Sequence, residues 1–195
     1  MNLLAHYILS DRIEEVVVGN FIADFIRGND LSQFSDGIKR GIVLHKKIDT
    51  YSDHHPVVKE TWSLLNKDFG HYGRVITDIY YDHFLYHHWN EFSTYSFNDD
   101  LEYFYKCLKN QTRYFSPKLR RILSRIVAMQ WPLKYTDMPG LYQVFRSMSK
   151  RVVFENRFEF AVEVLQNNYK AIDDQFCRFF PDLKNFVQMQ KHIQQ

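Results

Sequence analysis

The chain has 195 residues, of which 45% are hydrophobic and 25% charged, the composition of an ordinary globular domain. Its 7 glycines and 5 prolines are scattered, which excludes collagen-like, linker-like and low-complexity character, while 17% aromatic residues offer enough apolar surface to close a core. A formal charge of +2 excludes a molecule-wide attraction for nucleic acid and leaves any charged partner patch local, while only two cysteines (Cys107 and Cys177) and no signal-like or membrane-length apolar stretch exclude a disulfide-stapled secreted fold and a membrane span, so a cytosolic location with free thiols is expected.

Periodicity and punctuation predict helices nearly throughout. After a short apolar opening from Leu3 to Ile8, Ser10 and Asp11 form an N-cap pair for a helix from Arg12 to Arg27, with Gly28 as its stop. Gly19 inside it either bends the helix or lets another backbone approach closely. Ser35 or Asp36 opens a segment from about Gly37 to Tyr51, with Ile38, Ile42, Leu44 and Ile48 as its apolar stripe. Pro56 starts a helix ending near Gly70, and Gly70 and Gly73 bracket a turn before a helix from Val75 to Trp89. Asn98 caps a helix from Asp99 to Asn110, and Ser116 followed by Pro117 starts one to Met129. Met138 with Pro139 opens a helix to about Lys150, Asn156 begins a long one to Phe179, and Pro181 starts a C-terminal one. No strand-and-turn pattern and no internal repeat is found, so the expected fold is all-α: a single irregular helical bundle over residues 1–195.

Three polar pairs lie four residues apart on these helices: Asn20 with Asp24, His45 with Asp49, and Asp78 with Asp82. Each pair shares a helix face. The second and third are flanked by strongly apolar residues, so their polar face is expected to point inward, where unpaired carboxylates are costly and a divalent cation removes the cost. Histidine plus carboxylates without thiolate favours Mn²⁺, then Mg²⁺ or Fe²⁺, over structural zinc, and such an ion suits phosphoester hydrolysis. The competing reading of each pair is a surface ion link. His6 sits in the apolar opening and Arg27 follows Asp24 closely enough to reach an anion, while His83, beside Asp82, is the best placed of His83, His87 and His88. Lys118, Arg120, Arg121 and Arg125 share one helix, joined by Lys46 among others; they form either a solvated face or a docking surface for an acidic partner, with RNA ranked lower.

The segments Met1–His6, Gly19–Gly28, His45–Asp53 and Asp78–Phe84, with Tyr135–Met138 and Met148–Arg151, resemble those of the acyl carrier protein phosphodiesterase family. The resemblance spans most of the chain. It implies a cytosolic, manganese-dependent hydrolase that removes the 4′-phosphopantetheine arm from holo acyl carrier protein, built as a divergent HD-type phosphohydrolase. The chain has no adjacent His-Asp dipeptide, and Asp82-His83 stands in reverse order, so an HD ligand set does not transfer position by position. On the family segments and helical spacing together, His6, Asp24, His45, Asp49 and Asp82 are the expected metal ligands. Asp78 is expected to complete or orient their shell, Arg27 to stabilise phosphoryl charge and His83 to act as the acid. Asn20, Lys46, Arg120 and Arg121 are the expected substrate or partner contacts. The rivals are a metallophosphohydrolase of a small nucleotide or sugar phosphate, and a non-catalytic helical binding module.

Overall fold

A computed structural model describes residues 1–26, 28, 30–152 and 156–192, with the side chains of residues 191 and 192 excepted. Helices α1 (Leu3–Ile8), α2 (Glu14–Ile22), α3 (Asp36–His54), α4 (Pro56–Phe69), α5 (Gly73–His87) and α6 (Trp89–Phe92) form the first half. They are followed by α7 (Phe97–Asn110), α8 (Pro117–Ala128), α9 (Met138–Ser149), α10 (Ala161–Asn167) and α11 (Tyr169–His192), with short 3₁₀ turns including Ala23–Phe25 and Trp131–Tyr135. There is no strand among the described residues. The all-α expectation holds. One apolar core joins the helices, centred on fully buried Tyr80, Tyr81, Phe84, Phe145, Phe176, Phe179 and Phe180. Among the described residues no helix is long and apolar enough to cross a membrane.

Several helix starts follow the sequence. Ser35, Ser116 and Asp137 each accept a hydrogen bond from the backbone N–H three residues on, and proline occupies the first turn of α4, α8 and α9. Other boundaries differ. Asp11 and Arg12 take φ of 50° and 54°, so the chain turns there and α2 starts only at Glu14. Ser10 donates to the His6 carbonyl instead of capping a helix. Ser96, not Asn98, caps α7. The expected helix from Asn156 to Phe179 breaks at Asn168, and Pro181 lies within α11 rather than starting a new helix. Its exposed ring sits on the solvent side, while Phe176, Phe179, Phe180, Leu183 and Val187 bury the opposite face and hold the helix through it.

Two glycines decide how α2 meets α3. A Cβ on Gly19 would lie 2.1 Å from the Ile38 carbonyl oxygen, and one on Gly41 would lie 2.3 Å from that of Val16. The helix continues through Gly19 without a break, and this glycine serves close approach. Backbone touches backbone at this crossing, which brings the C-terminal end of α2 against the middle of α3.

The six-residue α1 is too short to persist alone. It is held at both ends. Asp82 of α5 accepts from the N–H groups of Leu4 (2.9 Å) and Ala5 (3.2 Å), capping it from a distance of nearly eighty residues in sequence. Tyr7 donates to the buried carboxylate of Asp100 at 2.6 Å, which also accepts from Arg12, Trp89 and Ser93. At the other end the His6 carbonyl accepts from Ser10 Oγ (2.8 Å) and Asn20 Nδ2 (2.9 Å).

Candidate metal centre

With α1 pinned and α2 tight against α3, three chain segments converge. His6 comes from α1, Asp24 from the 3₁₀ turn that ends α2, and His45 and Asp49 from adjacent turns of α3. His45 Nε2 lies 3.0 Å from Asp24 Oδ1 and 3.1 Å from Asp49 Oδ2. His6 Nε2 lies 3.2 Å from Asp49 Oδ1, and the two imidazoles stack with centroids 4.1 Å apart. One ligand atom each from His6, His45 and Asp49 falls within 4.8 Å of the others.

Asn20 sets the histidine tautomer. Its backbone carbonyl accepts from His45 Nδ1 at 2.8 Å, so Nε2, which faces Asp24 and Asp49, is the nitrogen that can exchange its proton for a cation. The Asn20 side chain meanwhile donates to the His6 carbonyl and to Ser10. It therefore positions both histidines from one residue.

The electrostatics favour a cation at this point. Burial works against a charged His45, but the hydrogen bonds it donates to Asp24 and Asp49 outweigh it and push its pKa up to about 9. Asp49 is favoured in its neutral form by burial, yet His45, His6 and the Met1 ammonium hold it far below the usual carboxylate range. Asp24 is lowered chiefly by its hydrogen bond to His45. Burial pushes His6 below the ordinary imidazole range, which keeps it in the neutral, ligand-competent form. Both His6 ring nitrogens are buried without a hydrogen-bond partner, because the approach of Nε2 to Asp49 is out of line for one. An orphaned imidazole nitrogen facing a carboxylate, beside a second imidazole bracketed by two carboxylates, fits a hard or borderline divalent ion.

Not every expected residue joins this group. Asp78 Oδ1 is 3.2 Å from the Met1 ammonium, which also lies 3.3 Å from Asp49, so Asp78 borders the cluster through that amine. Asp82 shares a helix face with Asp78, but its two oxygens hold the amides of α1 and it stands outside the set of converging ligand atoms. Burial pushes its pKa up to about 7. His83 is nearly fully buried, donates through Nδ1 to the Tyr135 carbonyl and meets the Tyr169 hydroxyl through Nε2, and it does not line the cleft over the cluster. Arg27 lies outside the described residues. Lys46, Arg120 and Arg121 are exposed.

A cleft of about 170 Å³ opens over His6, Asn20, Asp24 and His45. Phe21, Phe25, Ile126, Trp131 and Tyr135 also line it. Sequence reasoning did not single out these apolar residues as a site. Trp131 Nε1 donates to the Tyr135 hydroxyl at 2.9 Å, which fixes these two side chains to each other, and Ile126 belongs to α8, the helix that carries Arg120 and Arg121.

The profile of the acyl carrier protein phosphodiesterase family matches residues 1–183. Proteins named acyl carrier protein phosphodiesterase are similar along almost the whole length. The one from Photorhabdus laumondii is 26% identical over 182 residues, covering 93% of this chain and 92% of its own. The Yersinia pestis protein is 24% identical over 189 residues, covering 96% and 98%, and an Escherichia coli protein is 28% identical over 185 residues, covering 93% and 94%. No solved structure matches the chain.

Proposed function

The chain belongs to the acyl carrier protein phosphodiesterase family, and from that membership we propose that it hydrolyses the phosphodiester joining the 4′-phosphopantetheine arm to the serine of holo acyl carrier protein, releasing the apo protein. The observation that carries the metal-dependent form of this reading is the orphaned, buried His6 imidazole aimed at Asp49, beside His45 bracketed by Asp24 and Asp49. His6, His45, Asp49 and Asp24 would hold the ion, with Mn²⁺ first and Mg²⁺ or Fe²⁺ as alternatives. When bound, such an ion supplies Lewis-acid stabilisation of phosphoryl charge and lowers the pKa of water.

The remaining work falls to the chain. Asn20 holds the His45 Nδ1 proton on its carbonyl, so Nε2 is the nitrogen that would give up its proton and bind. Asp49 is held anionic between the two imidazoles. Phe25, Ile126, Trp131 and Tyr135 give the cleft an apolar lining beside the reacting phosphodiester, which lowers the local dielectric and strengthens charge interactions there. The reaction exchanges the phosphorus–oxygen bond to serine for one to water, and the serine oxygen leaves with a proton. Arg27, beyond Asp24 in sequence, is the cation we assign to the phosphoryl oxygens. His83 is not assigned as the acid, because both its nitrogens are engaged away from the cleft.

Docking of the acidic carrier is assigned to Lys46, next to His45 on the exposed side of α3, and to Arg120 and Arg121 on the helix that lends Ile126 to the cleft. His and Asp donors delivered from separate helices also accord with a divergent HD-type phosphohydrolase. Intact-mass measurement of holo acyl carrier protein incubated with the enzyme and Mn²⁺ tests the activity. Conversion to the apo mass is expected; retention of the arm, with turnover of nucleotides or sugar phosphates instead, would replace the carrier protein as substrate.

A further inference from the structure

A second group of ligand-type side chains lies apart from the cleft, where the end of α5 meets α11. His88 follows the last residue of α5, and Asp173 and Cys177 stand four apart on one face of α11. His88 Nε2 is 2.8 Å from Asp173 Oδ1 and 3.5 Å from Cys177 Sγ, and the sulfur is 3.9 Å from the same carboxylate oxygen. These three atoms, one nitrogen, one oxygen and one sulfur, all fall within 4.8 Å of one another.

The imidazole is aimed by two further contacts. Glu91 Oε1 is 2.8 Å from His88 Nδ1, the carboxylate–histidine arrangement that keeps a proton on one ring nitrogen and leaves the other for a metal. Fully buried Phe176 stacks beneath the His88 ring, with centroids 5.9 Å apart and an interplanar angle of 24°. A plain ion pair between His88 and the two carboxylates would account for Glu91 and Asp173. It would leave the thiol with only a long donated contact to Asp173, at 3.9 Å, and a 3.5 Å approach to the same nitrogen.

We propose that His88, Asp173 and Cys177 form a second metal site for a zinc-type ion, oriented by Glu91 and clamping the end of α5 to α11. A tetrahedral ion with bonds of ~2.0–2.3 Å separates its ligand atoms by roughly 3.3–3.7 Å. The two contacts to sulfur lie near that range, and only the His88–Asp173 pair must open, by about 0.5 Å. Coordination requires the thiol to give up its proton to solvent and His88 Nε2 to be unprotonated. Cys177 is exposed, so solvent can supply a fourth ligand. Thiolate, imidazole and carboxylate select Zn²⁺ or Co²⁺, whereas the cleft cluster offers no sulfur and suits harder ions. The assignment does not depend on the phosphodiesterase reading.

The test is a Co²⁺ titration of the purified full-length chain, read by the near-ultraviolet thiolate-to-cobalt charge-transfer band. The cleft cluster holds no thiolate and is silent in this band. We expect a band that saturates, is displaced by Zn²⁺ but not by Mn²⁺, and disappears in Cys177→Ser, whose exposed position leaves folding intact by circular dichroism. Glu91→Gln should retain the band but weaken Co²⁺ binding about 10-fold or more, as loss of an orienting carboxylate does. Absence of any charge-transfer band at saturating Co²⁺, or a band that survives Cys177→Ser, overturns the proposal.

Discussion

Gly41→Ala isolates the feature that assembles the cleft. The added Cβ would lie 2.3 Å from the Val16 carbonyl oxygen, 2.7 Å from the Asn20 nitrogen and 2.8 Å from the Gly19 Cα, all of them backbone atoms of α2. To reach ordinary contact at 3.4 Å the two helices must part by about 1.1 Å. The hydrogen bond from His45 Nδ1 to the Asn20 carbonyl, now 2.8 Å, bridges these same helices and would be broken. Helix propensity alone predicts the opposite sign, a gain of ~1 kcal/mol for alanine over glycine. Overpacking against backbone that cannot rotate away costs roughly 3 kcal/mol, and the lost buried hydrogen bond costs about 1–3 kcal/mol. The net is a destabilisation of about 3–5 kcal/mol, or a Tm lower by roughly 6–20 °C for a chain of this size. A shift of about 1 Å between Asn20 and His45 should lower turnover by roughly 100-fold. Thermal melts by circular dichroism and kcat on holo acyl carrier protein measure both effects. A Tm equal to or above that of the parent, with full turnover, would refute the close crossing as the device that builds the site.

Chelation should abolish hydrolysis, and added Mn²⁺ should restore it. Asp82→Ala should destabilise the protein by about 2 kcal/mol through loss of the two α1 amide partners. Asp82→Asn, which keeps an acceptor, should leave Mn²⁺ affinity nearly unchanged by calorimetry, whereas Asp49→Asn should abolish it. Burial pushes His83 down to about 4, against about 6.5 in an unfolded chain, so the unfolded state takes up more protons between these values. Its contribution to stability is therefore complete above pH 6.5 and is lost as pH falls toward 4; ¹⁵N chemical shifts of His83 that stay constant from pH 8 to 5 would show this, and a midpoint near 6.5 would contradict it. Reversing charge at Arg120 and Arg121 together should raise KM for the carrier protein and flatten its salt dependence while leaving kcat in place, and an unchanged KM would remove α8 from the docking surface.

The fold and half of the site were legible for local reasons. Caps such as Ser35 and Ser116, and the prolines at 56 and 117, act within one turn of the residues they mark, so the helix starts they predict appear in the structure. Pro181 was misread because its local signal is overridden by burial of Phe176, Phe179, Phe180, Leu183 and Val187 along α11, a tertiary effect. His45 and Asp49 share a helix face, so their convergence follows from spacing alone. Asp78 and Asp82 have the same spacing but divide their roles, since nothing local distinguishes a carboxylate that faces a cation from one that caps a distant helix. Asp100 escaped notice for the same reason: its partners Tyr7 and Arg12 lie about ninety residues away. Gly19 admitted two readings, and only the position of Gly41 on the facing helix selects close approach.

Anomalous diffraction at the manganese edge, from crystals grown with Mn²⁺, bears most directly on the cleft cluster. A single peak bonded to His6 Nε2, His45 Nε2 and the Asp49 carboxylate, with Asp24 alongside, is the predicted result. A peak held instead by Asp78 and Asp82, or no peak at the Nε2 edge of the two imidazoles at saturating Mn²⁺, would contradict it.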